Sequence, residues 1–318
     1  MRNKRSLRRN QLSSPEELNR RSRRRKRDFT YNLCDLCDLL FNLLIVVRFE
    51  GRCRFNNCSL AAFEGRDSST RMPKKEFSAR RIQGCLNGNR SAKTSVSLPI
   101  TPDQLALDAR IAASLGFFSV HVHARDDEGR ESLNQNWVGA AISAIRAAAP
   151  NLEIGVSTGA WIEPDLAARI AAINSWKVLP DVASVNLFEY GADKVIKNLQ
   201  VKGIGIEAGL ATLRDAQILA QLDLTDTCKR ILVEVHGQTP EDAVKSALEI
   251  EQFLNSKNIA TPQLHHSYES ATWAVIRAGF DRGHHVRIGL EDTEVLPTGS
   301  LATSNEELFR AAIAMLQD

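Results

Sequence analysis

Ser119 to Asp126 reads SVHVHARD, which sets two histidines one residue apart inside a run otherwise built like a buried strand. The chain of 318 residues has only seven histidines, so the pairing needs a chemical reason. Alternate residues of a strand project to one face, so His121 and His123 point together while Val120, Val122 and Ala124 take the other side. Two imidazoles separated by about 7 Å of strand can grip a single metal ion. Nitrogen ligands completed by a carboxylate, with one position left open for substrate, favour Zn2+. Glu291 is the expected third ligand, and a salt bridge from Arg287 is the competing use of that carboxylate. His236, His265 and His266 are rival ligands, or neighbours that orient the ligands.

The elements that must position these groups alternate without interruption from about Arg81 onward. Short apolar runs predict strands over 82–86, 119–123, 152–157, 182–187, 204–209, 231–235, 262–266 and 285–290. Each is followed by a longer segment with helical spacing. The first helix opens with a Thr101 cap, Pro102 and Gln104, and its Leu107, Ile111 and Leu115 are expected to form one buried stripe. Further helices are predicted over 136–149, 163–174, 192–202, 213–222, 240–255, 271–282 and 304–317, the last with a Ser304-x-x-Glu307 capping box. Eight such units in about 240 residues predict the α/β class and a (β/α)8 TIM barrel, with an open doubly wound sheet as the alternative. The glycines at 203, 205 and 209 miss the dinucleotide spacing and lie along a strand, so they carry no nucleotide site.

Catalytic residues of such a barrel come from the C-terminal ends of its strands. Those positions hold Asn87 to Arg90, His121 and His123, Ser157 to Gly159, Asn186 and Glu189, Glu207, Glu234 and His236, His265 to Glu269, and Arg287 to Thr293. A barrel core prefers branched aliphatics, so charge gathered at one rim is the functional signal.

The first 71 residues read differently. Twelve Lys and Arg stand among the first thirty positions, against three acidic residues, and an apolar run from Leu39 to Val47 follows. That run is far shorter than the roughly 20 residues of a membrane span, so no membrane partner is expected. Cys34, Cys37, Cys53 and Cys58 have a spacing that echoes a zinc ribbon, but their linker is greasy rather than turn-forming. The segment 1–71 is expected to be an Arg-rich extension, disordered or translated ahead of a start at Met72, with the catalytic barrel over 72–318. A basic run without interleaved aromatics gives no reader of nucleic acid. The remainder is acidic on balance and keeps two of the six cysteines, Cys85 and Cys228. That usage fits a reducing compartment, the cytoplasm.

Taken in order, NGNR before SLPITP, HVHARD, VSTGAW, ASVN, GIGIEAG and GHHVRIGLEDT resemble the zinc-dependent β-keto acid cleavage enzymes, over about 80 to 300. The type member of that family acts on 3-keto-5-aminohexanoate. The resemblance implies a homo-oligomeric barrel, a dimer or tetramer, that exchanges acyl groups between a β-keto acid and acetyl-CoA, giving acetoacetate and a new CoA thioester. It implies that His121, His123 and Glu291 hold zinc, and that Asp292, oriented by Arg287, is the general base. It further implies that Ser157, Thr158 and Gly159 hold the substrate carboxylate, that Asn186 lines the substrate site, and that Glu207 is another active-site carboxylate. Where the type member has a glutamate after the first strand, this chain has Asn89 beside Arg90. A neutral or anionic substrate tail is therefore expected, unless Arg90 pairs with a carboxylate nearby.

Two other classes compete. A metal-dependent TIM-barrel hydrolase would want its histidine pair on the first strand and further ligands on the fifth and sixth. A barrel without activity, serving as a binding scaffold, would need no metal.

Overall fold

Eight parallel strands pair in chain order and the last returns to the first, closing a barrel. The computed structural model describes residues 78–91, 97–237 and 239–317. The expectations placed on residues 1–71 lie outside the described residues. The strands are β1 Ile82–Cys85, β2 Ser119–Val122, β3 Glu153–Ser157, β4 Val182–Asn186, β5 Gly205–Leu210, β6 Arg230–Val235, β7 Gln263–Ser267 and β8 His285–Ile288. Outside them run α1 Pro102–Ser114, α2 Gln135–Ala148, α3 Leu166–Ser175, α4 Ala192–Val201, α5 Leu213–Gln221, α6 Pro240–Ser256, α7 Thr272–Asp281 and α8 Asn305–Gln317. This is the (β/α)8 architecture, and the open sheet is excluded by the β1–β8 pairing.

Local chemistry sets where the helices begin. Thr101 and Gln104 form a reciprocal capping box at α1, with Pro102 in the first turn. Thr212, Asp165 and Thr239 cap α5, α3 and α6 through their side chains. At α8 the motif splits: Ser304 accepts the Glu307 N–H at 3.4 Å, while the Glu307 carboxylate takes the N–H of Thr303. The stripe expected on α1 is a correction. Leu105, Ala109 and Ala112 are buried there, whereas Leu107 is 48% exposed. Ala109 and Ala112 turn inward with Leu105, and Leu107 is left at the side of the helix.

The apolar core lies between strands and helices. Val120 and Val122 of β2, Ile154 and Val156 of β3 and Ile231, Val233 and Val235 of β6 point into it and are nearly or fully buried. The other face of each strand fills the barrel, and its lower part is polar. Glu207 accepts from Gln83 Nε2 at 2.9 Å and from Arg230 Nε at 2.5 Å. Arg230 also pairs with Glu153, and Gln83 reaches Ser119 Oγ. A buried carboxylate costs heavily unless it is paired and hydrogen-bonded; this network satisfies that condition and closes the barrel beneath the mouth. Among the described residues no helix is long and apolar enough to cross a membrane.

Phe309 of α8 is fully buried, with its ring 4.8 Å from that of Phe117. Phe309→Ala should lower unfolding free energy by about 3–5 kcal/mol in a denaturant titration; a loss under about 1 kcal/mol would contradict this packing.

Candidate active site

The strand ends bring His121, His123 and Glu291 together: one donor atom from each lies within 4.8 Å of the others. The two rings face the barrel interior, edge to face, with centroids 5.2 Å apart. Glu291 sits on the turn after β8. That turn is pinned by the N–H groups of Asp292 and Thr293 donating to the Gly289 carbonyl, and by Leu290 N–H donating to Asn305. Gly88, in the left-handed region at φ +53°, faces Glu291; a side chain there would collide with the carboxylate.

Tautomer and charge are set by neighbours. His123 Nδ1 meets Glu131 Oε1 at 2.5 Å, which turns Nε2 toward Glu291 Oε1 at 3.4 Å. Burial works against protonation of His123, but Glu291 and Glu131 prevail and lift it to about 9. Burial pushes His121 down to about 4. Burial alone would raise Glu291, yet Arg287 and His123 hold its carboxyl well below the usual carboxylate range. His121 Nδ1 and Glu291 Oε2 are buried without a hydrogen-bond partner. Buried polar atoms left unpartnered are costly, and two imidazoles plus a carboxylate are the donor set of zinc. These residues fit a divalent cation.

Arg287 Nη2 donates to Glu291 Oε1 at 2.8 Å and to Asp292 Oδ1 at 3.2 Å, so the expected salt bridge and the expected ligand role converge on one carboxylate. Asp292 is fully buried; Cys85 Sγ donates to its Oδ2 at 2.8 Å, and His266 Nδ1 stands 3.3 Å from its Oδ1. It lies one layer behind the wall of a cavity of about 300 Å3 at the barrel mouth.

Ser157, Asn186, Asn89 and Arg287 line that cavity with the two histidines and Glu291. Thr158 does not join them through its side chain, because its hydroxyl donates to the Ser184 carbonyl at 2.7 Å. The Gly159 N–H donates to Ser157 Oγ at 3.3 Å. Glu207 stays in the lower network, 3.9 Å from His121 Nδ1, and does not line the cavity. Arg90 turns away: it pairs with Glu269 at 2.5 Å and donates to the Glu291 carbonyl, so it is no free cation for a substrate.

The rival histidines separate. His236 stacks on Tyr268 at the rim, with centroids 4.7 Å apart. His266 lies inward between Asp292 and Glu234. His265 faces outward, where it gathers with Glu251 and His284. The rings of His265 and His284 stack face to face at 4.4 Å and 11°, so their in-plane lone pairs run parallel rather than toward one ion, and Arg282 already holds Glu251.

Sequence reasoning missed Glu131. It joins His123 to Trp161, whose indole N–H donates to its two oxygens at 3.1 and 3.2 Å. The only signal was the Asp127-Glu128-Gly129 turn, which folds the chain back and pairs Glu131 with Arg125. A carboxylate behind a ligating imidazole fixes its tautomer and raises its basicity.

The model of the beta-keto acid cleavage enzyme family matches residues 81–231 and 263–318. A 3-keto-5-aminohexanoate cleavage enzyme of Fusobacterium nucleatum subsp. nucleatum is 23% identical over 242 residues, 70% of this chain and 85% of that protein. One from Acetoanaerobium sticklandii is 21% identical over 241 residues, with the same shares. Among solved structures, the apo structure of ObcA matches with a TM-score of 0.54 at 15% identity, over 70% of this chain and 61% of that one. A ternary complex of ObcA with a C4-CoA adduct and oxalate matches with a TM-score of 0.54 at 14% identity, over 70% and 63%. The chain thus spans under two thirds of ObcA, and that likeness concerns the fold. None of these relatives is a hydrolase by name, and the hydrolase reading is left without support.

Glu131→Ala should weaken Zn2+ binding by about 10- to 100-fold in a chelator competition. An unchanged affinity would remove Glu131 from the support of His123.

Proposed function

Because the chain belongs to the beta-keto acid cleavage enzyme family, we propose that its barrel mouth takes a β-keto acid and a CoA thioester, with a divalent cation held by His121, His123 and Glu291. The observation that carries this reading is the convergence of those three donor atoms within 4.8 Å on the wall of the cavity. The fold relative with a C4-CoA adduct supports acetyl-CoA as co-substrate. When bound, the ion, zinc by donor type, supplies a Lewis acid for the keto oxygen.

The chain's own residues do the rest. Ser157 and Asn186 bind the substrate from the β3 and β4 side. Asp292 accepts the C2 proton. Arg287 donates to that carboxylate at 3.2 Å and fixes its aim. Asp292 lies behind Arg287, and substrate binding has to draw the pair toward the cavity, since catalytic hydrogen bonds tighten in the Michaelis complex. The C2 carbanion equivalent then attacks the acetyl thioester and CoA thiolate leaves. The thiolate adds to the original keto carbon, the C2–C3 bond breaks, and the proton held on Asp292 returns to C2. Acetoacetate and a new acyl-CoA result. Glu207 acts below the cavity as a positioning residue that backs His121. A homo-oligomeric enzyme of a reducing compartment completes the reading, consistent with the unpaired Cys85 and Cys228.

Incubation with acetyl-CoA and a panel of β-keto acids should release acetoacetate, and a chelator should abolish the release. Asp292→Asn should lower kcat by about 100-fold or more with metal content retained. Full turnover by that variant would remove Asp292 as the base, and turnover indifferent to the chelator would remove the metal.

A further inference from the structure

Only two carboxylates line the cavity among the described residues, and they differ in how they are compensated. Glu291 has Arg287. Glu234 of β6 has no Lys or Arg partner among the described residues; its Oε2 receives the Tyr268 hydroxyl at 3.3 Å and stands 3.7 Å from His266 Nε2. Its Oε1 takes no hydrogen bond from a described residue. Glu234 is 7% exposed, so water compensates it poorly.

A second acceptor points at the same place. Asn186 donates its Nδ2 to Glu189 Oε1 at 3.1 Å, which turns its Oδ1 away from Glu189. Gly209 faces the barrel interior on the same side of β5 as Glu207. A Cβ on Gly209 would stand 2.5 Å from Asn186 Oδ1 and 2.8 Å from Glu234 Oε1. The absence of a side chain at Gly209 lets the two oxygens crowd close above it, and both residues line the cavity.

We propose that Glu234 and Asn186, meeting above Gly209, form the subsite for the substrate tail, and that the tail carries a hydrogen-bond donor, best of all a cationic one. This rests on the reading of the cavity as a β-keto acid site. It replaces the expectation of a neutral or anionic tail: the Arg90 that would have favoured an anion is engaged by Glu269. Glu234 lies in the stretch between the two segments matched to the family, whereas Asn186 and Gly209 lie within the first of them.

The test compares four β-keto acids of equal tail length ending in methyl, hydroxyl, ammonium or carboxylate. Both kcat/KM with acetyl-CoA and equilibrium binding by calorimetry are read on the wild type, Glu234→Gln and Gly209→Ala. The wild type should prefer ammonium over methyl by about tenfold or more, with hydroxyl between them and carboxylate last. Each variant should bring the ammonium-to-methyl ratio close to one. A wild type that binds the methyl or carboxylate tail as well as the ammonium tail, or a ratio untouched by both variants, would overturn the subsite. If none of the acids is cleaved, the proposed reaction fails, while the binding ratios still decide the subsite.

Discussion

One buried guanidinium serves two carboxylates. Arg287 reaches both Glu291 and Asp292 with the same nitrogen, and all three are buried or nearly so. A buried charge needs a partner, and one arginine cannot neutralise two anions. The imbalance is visible in His123, which the surrounding carboxylates lift to about 9 against the pull of burial. The field that holds a proton on that imidazole is the field that would draw a divalent cation to the same spot. The turn from Gly289 to Thr293, the open space at Gly88 and the Glu131 brace all keep those charges close together.

That concentration of charge sits on a floor that is itself ionic. Glu207, Arg230, Gln83 and Glu153 fill the barrel below the mouth where aliphatic layers are usual. Each member of this floor has at least one partner, although Gln83 Oε1 and Glu207 Oε2 accept no hydrogen bond from a described residue. It backs His121 from beneath, while Glu131 backs His123 from the side. Of the two imidazoles, His123 is oriented by a hydrogen bond to Glu131, whereas Glu207 stands 3.9 Å from His121 without bonding it.

The periodic parts of this architecture were legible in the sequence. Runs such as ILVEV and SVHVH bury both faces, and their number and order predicted the barrel, although only the β1–β8 pairing excluded an open sheet; the strand ends moved by one or two residues, where hydrogen bonding rather than hydropathy sets the limit. His121 and His123 were legible because alternation on a strand fixes which side chains share a face; Glu291, on the turn after β8, was legible only as a carboxylate at the same rim and through the family motif. What depends on chain folding back was not. Glu131 becomes a brace only once the turn at Gly129 returns it to His123. Whether Arg90 meets a substrate or a carboxylate was left open, because its partner Glu269 lies far along the chain. Leu107 fitted a four-residue repeat, but the small residues of α1 won the inward face. Glu207 was counted among the strand ends, but it lies within β5 and its partner Arg230 draws it below the cavity.

The central claim is a place: one divalent cation between His121, His123 and Glu291. Anomalous diffraction at the zinc edge from crystals of the Zn2+-loaded protein tests it most directly. The account predicts a single strong peak within about 2.0–2.2 Å of two imidazole nitrogens and a carboxylate oxygen at the barrel mouth. A mouth with no peak, or a peak only beside Glu251, His265 and His284 on the outer face, would contradict it.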